Sequence, residues 1–337
     1  MTAVLEKTVV SQQQWRPRRV CVHARSTRYR VRTMRISSVL LLVALAAPFA
    51  LTGQGARGQT PAATPQVTTT LLGGDVYGID GQGGRAAALV GPDGIFLVDA
   101  QSAAITDRIV AALKTLSPAP IRFLVNTHVH ADHTGGNENF AKLGVTILGR
   151  PRLLAQLVTP QPAPNGQTPA PSPAAALPII LFDSPLTVNL NGETIQMIPL
   201  EPAHTDGDSA VKFVKGDVLM TGDVFRSEGF PAAAITNGGS VLGLIRALDI
   251  LIANSGPATR VVPGHGPVAD RAALVFHRDM AVTVRDRVRQ AIREGKTLEQ
   301  VRAAKPTADF EARVGGPANF INGFIDALYD ELSKQGR

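Results

Sequence analysis

The sequence predicts an α/β fold, a sandwich of sheets and helices with a helical extension at its carboxyl end. Three observations predict it. Short apolar runs of strand length, separated by glycine turns, alternate with a stretch of helical periodicity between residues 75 and 149. The same alternation returns between residues 186 and 265. From Asp270 onward the apolar spacing is helical almost throughout.

Within the first block, "DVYGIDG", "RAAALVG" and "GIFLVDA" read as successive strands of an antiparallel sheet. "SAAITDRIVAALKTLS" has helical spacing, with Ser102 as N-cap. "IRFLVNT" is a strand, a helix starts near Asn137, and "GVTILG" is a further strand. Residues 160–178 hold seven prolines, so no packed element fits there. That surface loop is either a lid or a variable insertion. In the second block "LTVNLNGETIQMIPL" is a hairpin turning at Asn-Gly, and "SAVKFVKGDVLMTGDVF" supplies another strand pair. "SVLGLIRALDILIANSG" is an amphipathic helix ended by Gly256, and "TRVVPGHG" is a strand running into a glycine turn. "ALVFHRDMAVTVRDRVRQAI" and "NFINGFIDALYDEL" are the helices of the extension. The domain reading is therefore a catalytic-size body over 66–270 and an extension over 271–337.

The formal net charge of +7 is concentrated at one end of the 337-residue chain. Residues 1–35 carry nine Lys/Arg against Glu6 alone, whereas residues 59–337 hold 24 basic and 26 acidic side chains. The body has no basic patch that would favour nucleic acid. From Met34 the chain reads as a secretory signal: a basic residue, an apolar run from Ile36 to Leu51, then small residues before a cut at Gln59. Met34 is then the true start, residues 1–58 are leader and signal peptide, and 59–65 are a Pro/Ala/Thr tether. An uncleaved anchor is the competing reading, but the run is short and broken by Pro48. The expected location is periplasmic or secreted, with no stable membrane association after cleavage. The one cysteine, Cys21, precedes the cut, so the mature body has neither disulfide nor thiolate ligand.

Chemistry concentrates in "NTHVHADHTGGN", Asn126 to Asn137, which places three of the seven histidines and an aspartate in six consecutive positions. His128 and His130 stand two apart at the end of a strand, so both side chains can converge on one ion. Asp132 and His133 follow and can turn toward a second ion beside it. Imidazole nitrogen and carboxylate oxygen suit Zn²⁺ with an open position. Three further residues sit just after strand-like runs: His204 in "EPAHTDGDS", Asp223 in "LMTGDVF" and His265 in "VVPGHGP". Strand ends gather along one edge of such a sandwich, where ligand sites form. His277 lies within a helix and is excluded from the set. Asp99, ending "FLVDA", either supports the cluster or caps the next helix. Asp206 and Asp208 brace the His204 loop by turn hydrogen bonds. Gly207, Gly222, Gly264 and Gly266 permit tight turns around the cluster. The loops Gly78–Gly84 and Arg226–Ser240, the latter with Phe230 and Asn237, are either substrate-contacting or ordinary connections.

H-x-H-x-D-H followed by His, then Asp in "TGD", then His in "GHG" resembles the metallo-β-lactamase superfamily, in order and spacing, over about residues 66–270. The resemblance implies a four-layer αβ/βα sandwich. It implies two zinc ions per chain, with Fe or Mn as possible substitutes. His128, His130 and His204 would bind the first, Asp132, His133 and His265 the second, and Asp223 would bridge both. A metal-bridging hydroxide would then attack a carbonyl centre, with Asp132 also catalytic, and no side-chain nucleophile is required. The substrate is a small molecule. The first reading is a β-lactam-type cyclic amide, because an exported enzyme meets antibiotics. An aspartate at position 223 is more similar to lactonases and glyoxalase II thioesterases, which is the second reading. An iron-dependent oxidoreductase on the same scaffold is the third. The sequence leaves the oligomeric state open.

Overall fold

The computed structural model describes residues 66–162 and 166–335. The leader, the predicted cut and the tether at 59–65 lie outside the described residues. The first sheet is a meander that turns parallel. Strands β1 (Thr68–Gly73), β2 (Val76–Asp80), β3 (Ala86–Leu89) and β4 (Ile95–Val98) pair antiparallel. From β4 the pairing is parallel through β5 (Ile121–Val125), β6 (Thr146–Gly149) and β7 (Ile180–Leu181). Parallel neighbours need crossovers, and the crossovers are the helices α1 (Thr106–Leu116), α2 (Ala131–Thr134), α3 (Asn137–Lys142) and α4 (Pro151–Val158).

The second sheet has five strands: β8 (Leu186–Leu190), β9 (Glu193–Pro199), β10 (Ser209–Phe213), β11 (Val218–Met220) and β12 (Arg260–Val262). They pair antiparallel except for the parallel pair β11–β12, whose crossover is α5 (Val241–Ala253). The helices α6 (Arg271–Arg293), α7 (Leu298–Ala303), α8 (Ala308–Val314) and α9 (Ala318–Gln335) complete the chain.

Side-chain alternation explains the layers. Along β3 and β4, Ala87, Leu89, Phe96 and Val98 point one way, and Ala86, Ala88, Ile95 and Leu97 the other. The first group meets Ile195, Met197, Val211, Phe213, Val218 and Met220 of the second sheet. The second group packs on Ile105, Ile109 and Leu113 around α1 and on Phe140 of α3. The outer face of the second sheet, with Ala210, Leu219 and Val261, is covered by Leu244, Leu248 and Leu251 of α5 and Leu274 of α6. The result is the four-layer αβ/βα sandwich. Strands buried on both faces carry no polar alternation, which is why they read as plain apolar runs.

Local details differ from expectation. Strand β1 was not anticipated, and the proline-rich stretch does hold a packed element, the 3₁₀ turn Ala174–Ala176, whose Ala176 is buried and accepts from Asn137 Nδ2 at 3.0 Å. Ser102 makes no side-chain cap; a 3₁₀ turn, Ala103–Ile105, precedes α1. Gly256 does not end α5, whose last carbonyls are met by the backbone of Asn254. Helix α4 was not legible, although Pro151 at its first turn is a favoured start. Asp270 does cap α6, accepting from the Ala273 amide at 2.9 Å. No described helix is long and apolar enough to cross a membrane.

Candidate metal centre

All the predicted site residues meet at one edge of the sandwich. His128 and His130 leave the end of β5, Asp132 and His133 lie on α2, and His204 sits between β9 and β10. Asp223 lies in the 3₁₀ turn Gly222–Val224 just after β11, and His265 follows β12. Three groups of donor atoms fall within 4.8 Å of one another: His128/His130/His204, Asp132/His133/His265, and His128/His133/Asp223. The third group takes one member from each of the others, so Asp223 stands between them. Its Oδ2 is 3.7 Å from His204 Nε2 and 3.3 Å from His265 Nε2, and its Oδ1 is 3.3 Å from His133 Nε2.

The backbone makes room for this convergence. A Cβ at Gly84 would overlap the His133 ring, and one at Gly264 would overlap Asp223 Oδ1. The loop before β3 is tied over the cluster, with the Gly84 amide donating to Asp132 O at 3.1 Å and Arg85 N to Gly264 O at 2.7 Å.

Each histidine whose second nitrogen can be followed has that nitrogen committed elsewhere. His133 Nδ1 lies 2.7 Å from Asp99 Oδ2. His128 Nδ1 lies 3.0 Å from Thr127 Oγ1, whose hydroxyl in turn donates to Asp99 Oδ2 at 2.8 Å. His204 Nδ1 donates to Ala232 O at 2.6 Å, and His130 Nε2 faces Asn237 Oδ1 at 3.4 Å. What remains is a ring of lone pairs turned inward. His130 Nδ1 and His204 Nε2 face one another at 2.9 Å. His128 Nε2 is buried without a hydrogen-bond partner, and His133 Nε2 and Asp223 Oδ1 are buried with only each other, at 3.3 Å, to face. Buried acceptors aimed at one spot are costly unless a cation satisfies them. The donor set, imidazole and carboxylate, therefore fits metal ions.

Electrostatics separates the two halves. Burial holds His128 well below the usual histidine range, and burial with His204 nearby brings His130 to about 4. Burial also lowers His204. This half keeps its lone pairs free. In the other half, bonds to Asp132 and Asp223 push His265 up to about 9. Burial opposes a proton on His133, but the Asp99 and Asp223 carboxylates override it and raise its pKa well above the ordinary value. Burial likewise opposes ionised Asp223, and its bonds to His133 and His265 outweigh that, leaving it ionised. Without metal, the second half is thus a proton-shared cage whose protons must leave before its nitrogens can ligate.

The geometry settles several open readings. Asp99 braces the cluster: it accepts from the Thr127 amide at 2.7 Å as well as from His133, and caps no helix. Asp208 accepts from the Thr205 amide and hydroxyl, fixing the His204 loop, and burial pushes its carboxyl up to about 7. Asp206 instead accepts from Gln156 of α4. His277 is buried against Phe225 and Phe276, apart from the cluster. Two neighbours escaped the sequence reading. Arg226 brings Nη1 to 3.4 Å from Asp223 Oδ2 beneath the Phe320 ring, and Gln156 reaches the His130 side through Asn237. Only the position of Arg226 three residues after Asp223 in "TGDVFR" could have pointed to it.

The model of the metallo-beta-lactamase superfamily matches residues 80–265, more than half of the chain. The chain belongs to that superfamily. Among solved structures, a metallo-beta-lactamase from Pontibacter korlensis aligns with a TM-score of 0.54 at 18% identity, covering 64% of this chain and 99% of that one. DIM-1 metallo-beta-lactamase aligns at 0.53 and 19% identity, covering 65% and 98%. TMB-1 aligns at 0.53 and 15%, with the same coverage. These likenesses show the superfamily fold. No curated protein matches the chain.

Proposed function

We propose that this protein is an exported zinc-dependent hydrolase that opens a carbonyl compound, with a β-lactam-type cyclic amide as its substrate class. The observation that carries the reading is the inward convergence of buried ligand atoms, His128 Nε2, His133 Nε2 and Asp223 Oδ1 among them, within a seven-residue His/Asp cage. His128, His130 and His204 would hold one ion, Asp132, His133 and His265 another, with Asp223 shared. Two such ions would supply Lewis acidity and water acidified to a pKa of about 7.

The chain's own residues do the rest. Asp132 is the exposed carboxylate of the cage, with 40% of its side chain accessible against 5% for Asp223. It can orient incoming water and accept a proton at the oxygen that His265 does not engage, His265 Nε2 lying 3.1 Å from Oδ2. Arg226 places a cation beside Asp223, suited to an anionic group on the substrate. The glycine loop before β3 is tethered to the cage through the Gly84 and Arg85 amides. The named likeness to metallo-beta-lactamases supports the cyclic amide. Aspartate at position 223 supports a second reading, a lactone or thioester. The complete second donor set, Asp132/His133/His265, supports a two-ion hydrolase over a one-iron oxygenase. The leader's layout supports export.

Metal content and initial rates on a cephalosporin, a lactone and a thioester test the proposal. Two zinc ions per chain with cephalosporin turnover lost to a chelator are expected. Turnover of only the lactone or thioester would move the substrate class. Iron without hydrolysis would overturn the reading. Asp132→Ala should lose at least about 100-fold in rate, the scale of a positioned proton acceptor, while circular dichroism stays native. A fully active variant would sink the role given to Asp132.

A further inference from the structure

We propose that Asp206, Gln156 and Asn237 form a polarity relay that fixes the tautomer of His130 and so presents its Nδ1 lone pair to the metal. The inference rests on the two-ion reading above. The polarity can be followed from one end. The backbone carbonyl of Asn237 can only accept, so the Gln156 group facing it and Asp206 Oδ1 is the amide Nε2. Nε2 donates to that carbonyl at 3.0 Å, which forbids the flipped amide. Gln156 Oε1 is therefore the acceptor that meets Asn237 Nδ2, at 2.6 Å. With its Nδ2 committed, Asn237 turns Oδ1 toward His130 Nε2 at 3.4 Å. That nitrogen is then the one carrying hydrogen, and Nδ1 keeps its lone pair. The lone pair faces His204 Nε2 at 2.9 Å, whose own hydrogen lies on the nitrogen bonded to Ala232 O. Two acceptors held this close call for a cation.

The relay is built into the fold. Gln156 is buried on α4, immediately before the proline-rich loop, and so gives that otherwise anonymous helix a place at the site. The Asp206 amide donates to Asn237 O at 2.9 Å, and the Ala234 amide to His204 O at 2.8 Å, clamping the 234–239 turn onto the His204 loop. In the first triad, His128 is oriented through Thr127 and Asp99 and His204 by a backbone carbonyl. His130 depends on this side-chain relay alone. Asn237 and Gln156 are positioning residues: neither offers an atom to the inward ring.

The test is a zinc competition titration of metal-stripped protein against a chromophoric chelator, resolving the two sites, with thermal unfolding of the metal-free forms in parallel. Asn237→Leu removes the acceptor at similar volume. It should weaken one site by about tenfold to a hundredfold, the usual effect of losing a partner behind a ligating histidine, and leave the other unchanged. Gln156→Leu, which touches no ligand, should weaken the same site and spare the other. Asn237→Asp keeps an acceptor toward His130 but turns its other oxygen on Gln156 Oε1, and should recover only part of the Asn237→Leu loss. Unchanged affinities in both leucine variants would overturn the relay while leaving the two-ion reading intact. Equal losses at both sites, with a lower metal-free unfolding temperature, would make the three residues mere packing and overturn it too. Wild-type protein that binds no zinc would remove the two-ion reading and the relay together.

Discussion

Asp99 shows how much one side chain can decide. It is held at φ +63°, a left-handed conformation that ordinary residues avoid at a cost of about 1–3 kcal/mol. Bonds from the Thr127 amide, the Thr127 hydroxyl and His133 overdetermine it. Through these it orients a histidine in each half of the cage. Asn tolerates the left-handed backbone, so Asp99→Asn isolates the acceptor role. That variant should retain the fold yet lose about tenfold to a hundredfold in metal affinity, read as zinc remaining after dialysis against a graded chelator. Full retention would return Asp99 to a purely structural part. At this scale the sequence was most informative where chemistry is local. The H-x-H-x-D-H run and the strand-end His204, Asp223 and His265 are all in the cage. Asn237 and Gln156 stand 107 and 26 residues from His130. Their partnership depends on how two loops and a helix meet, which no spacing along the chain encodes. Asp99 could be seen but not decided, because a carboxylate after a strand serves equally well as a helix cap.

At the scale of elements, strands such as β3, β4 and β11 were legible because burial on both faces leaves uninterrupted apolar runs, whereas short helices of one or two turns, α2 and α4, have too few residues to display a period. Helix α6 carries a different lesson. Its His277 reads as an ordinary helical residue and is in fact buried on Phe225 and Phe276. Burial, with the nearby Arg313 cation, lowers its pKa from 6.5 to about 4. Between those values the unfolded chain binds a proton that the folded chain refuses. Stability contributed by neutral His277 is thus fully present above about pH 6.5 and is lost as pH falls toward 4, by up to roughly 3 kcal/mol. Urea unfolding at a series of pH values should show this slope, and His277→Phe should flatten it between pH 6.5 and 4 relative to wild type. An unchanged slope would mean that other groups carry the acid sensitivity.

At the scale of the whole molecule, the helical extension is part of the site's support. Phe230, Val241 and Ile245 share one core with Met280, Val284 and Val288 of α6 and with Phe324, Ile325 and Leu328 of α9. Glu331 of α9 reaches back to the start of α5, accepting from the Val241 and Leu242 amides at 2.6 and 3.2 Å and from Ser240 Oγ at 2.9 Å. A carboxylate there satisfies amides that the helix leaves open and suits the positive end of its dipole. The Gly229 amide donates to Val314 O at 2.9 Å. These contacts grip the 226–240 loop at both ends. That loop carries Arg226, the Ala232 carbonyl behind His204, and Asn237 behind His130. A chain ending at Asp270 should therefore lose soluble yield and zinc together, because it uncovers the Phe230 core and frees the loop that orients two ligands. Glu331→Ala separates the two effects. It removes only that carboxylate, leaving the Ser240 cap on the Gly243 amide, and should lower the free energy of unfolding by about 1–2 kcal/mol, seen as a lower urea midpoint at unchanged slope, with zinc affinity near wild type. A soluble, zinc-replete truncation would instead make the extension an appendage, and the loop's geometry would have to come from the sandwich alone.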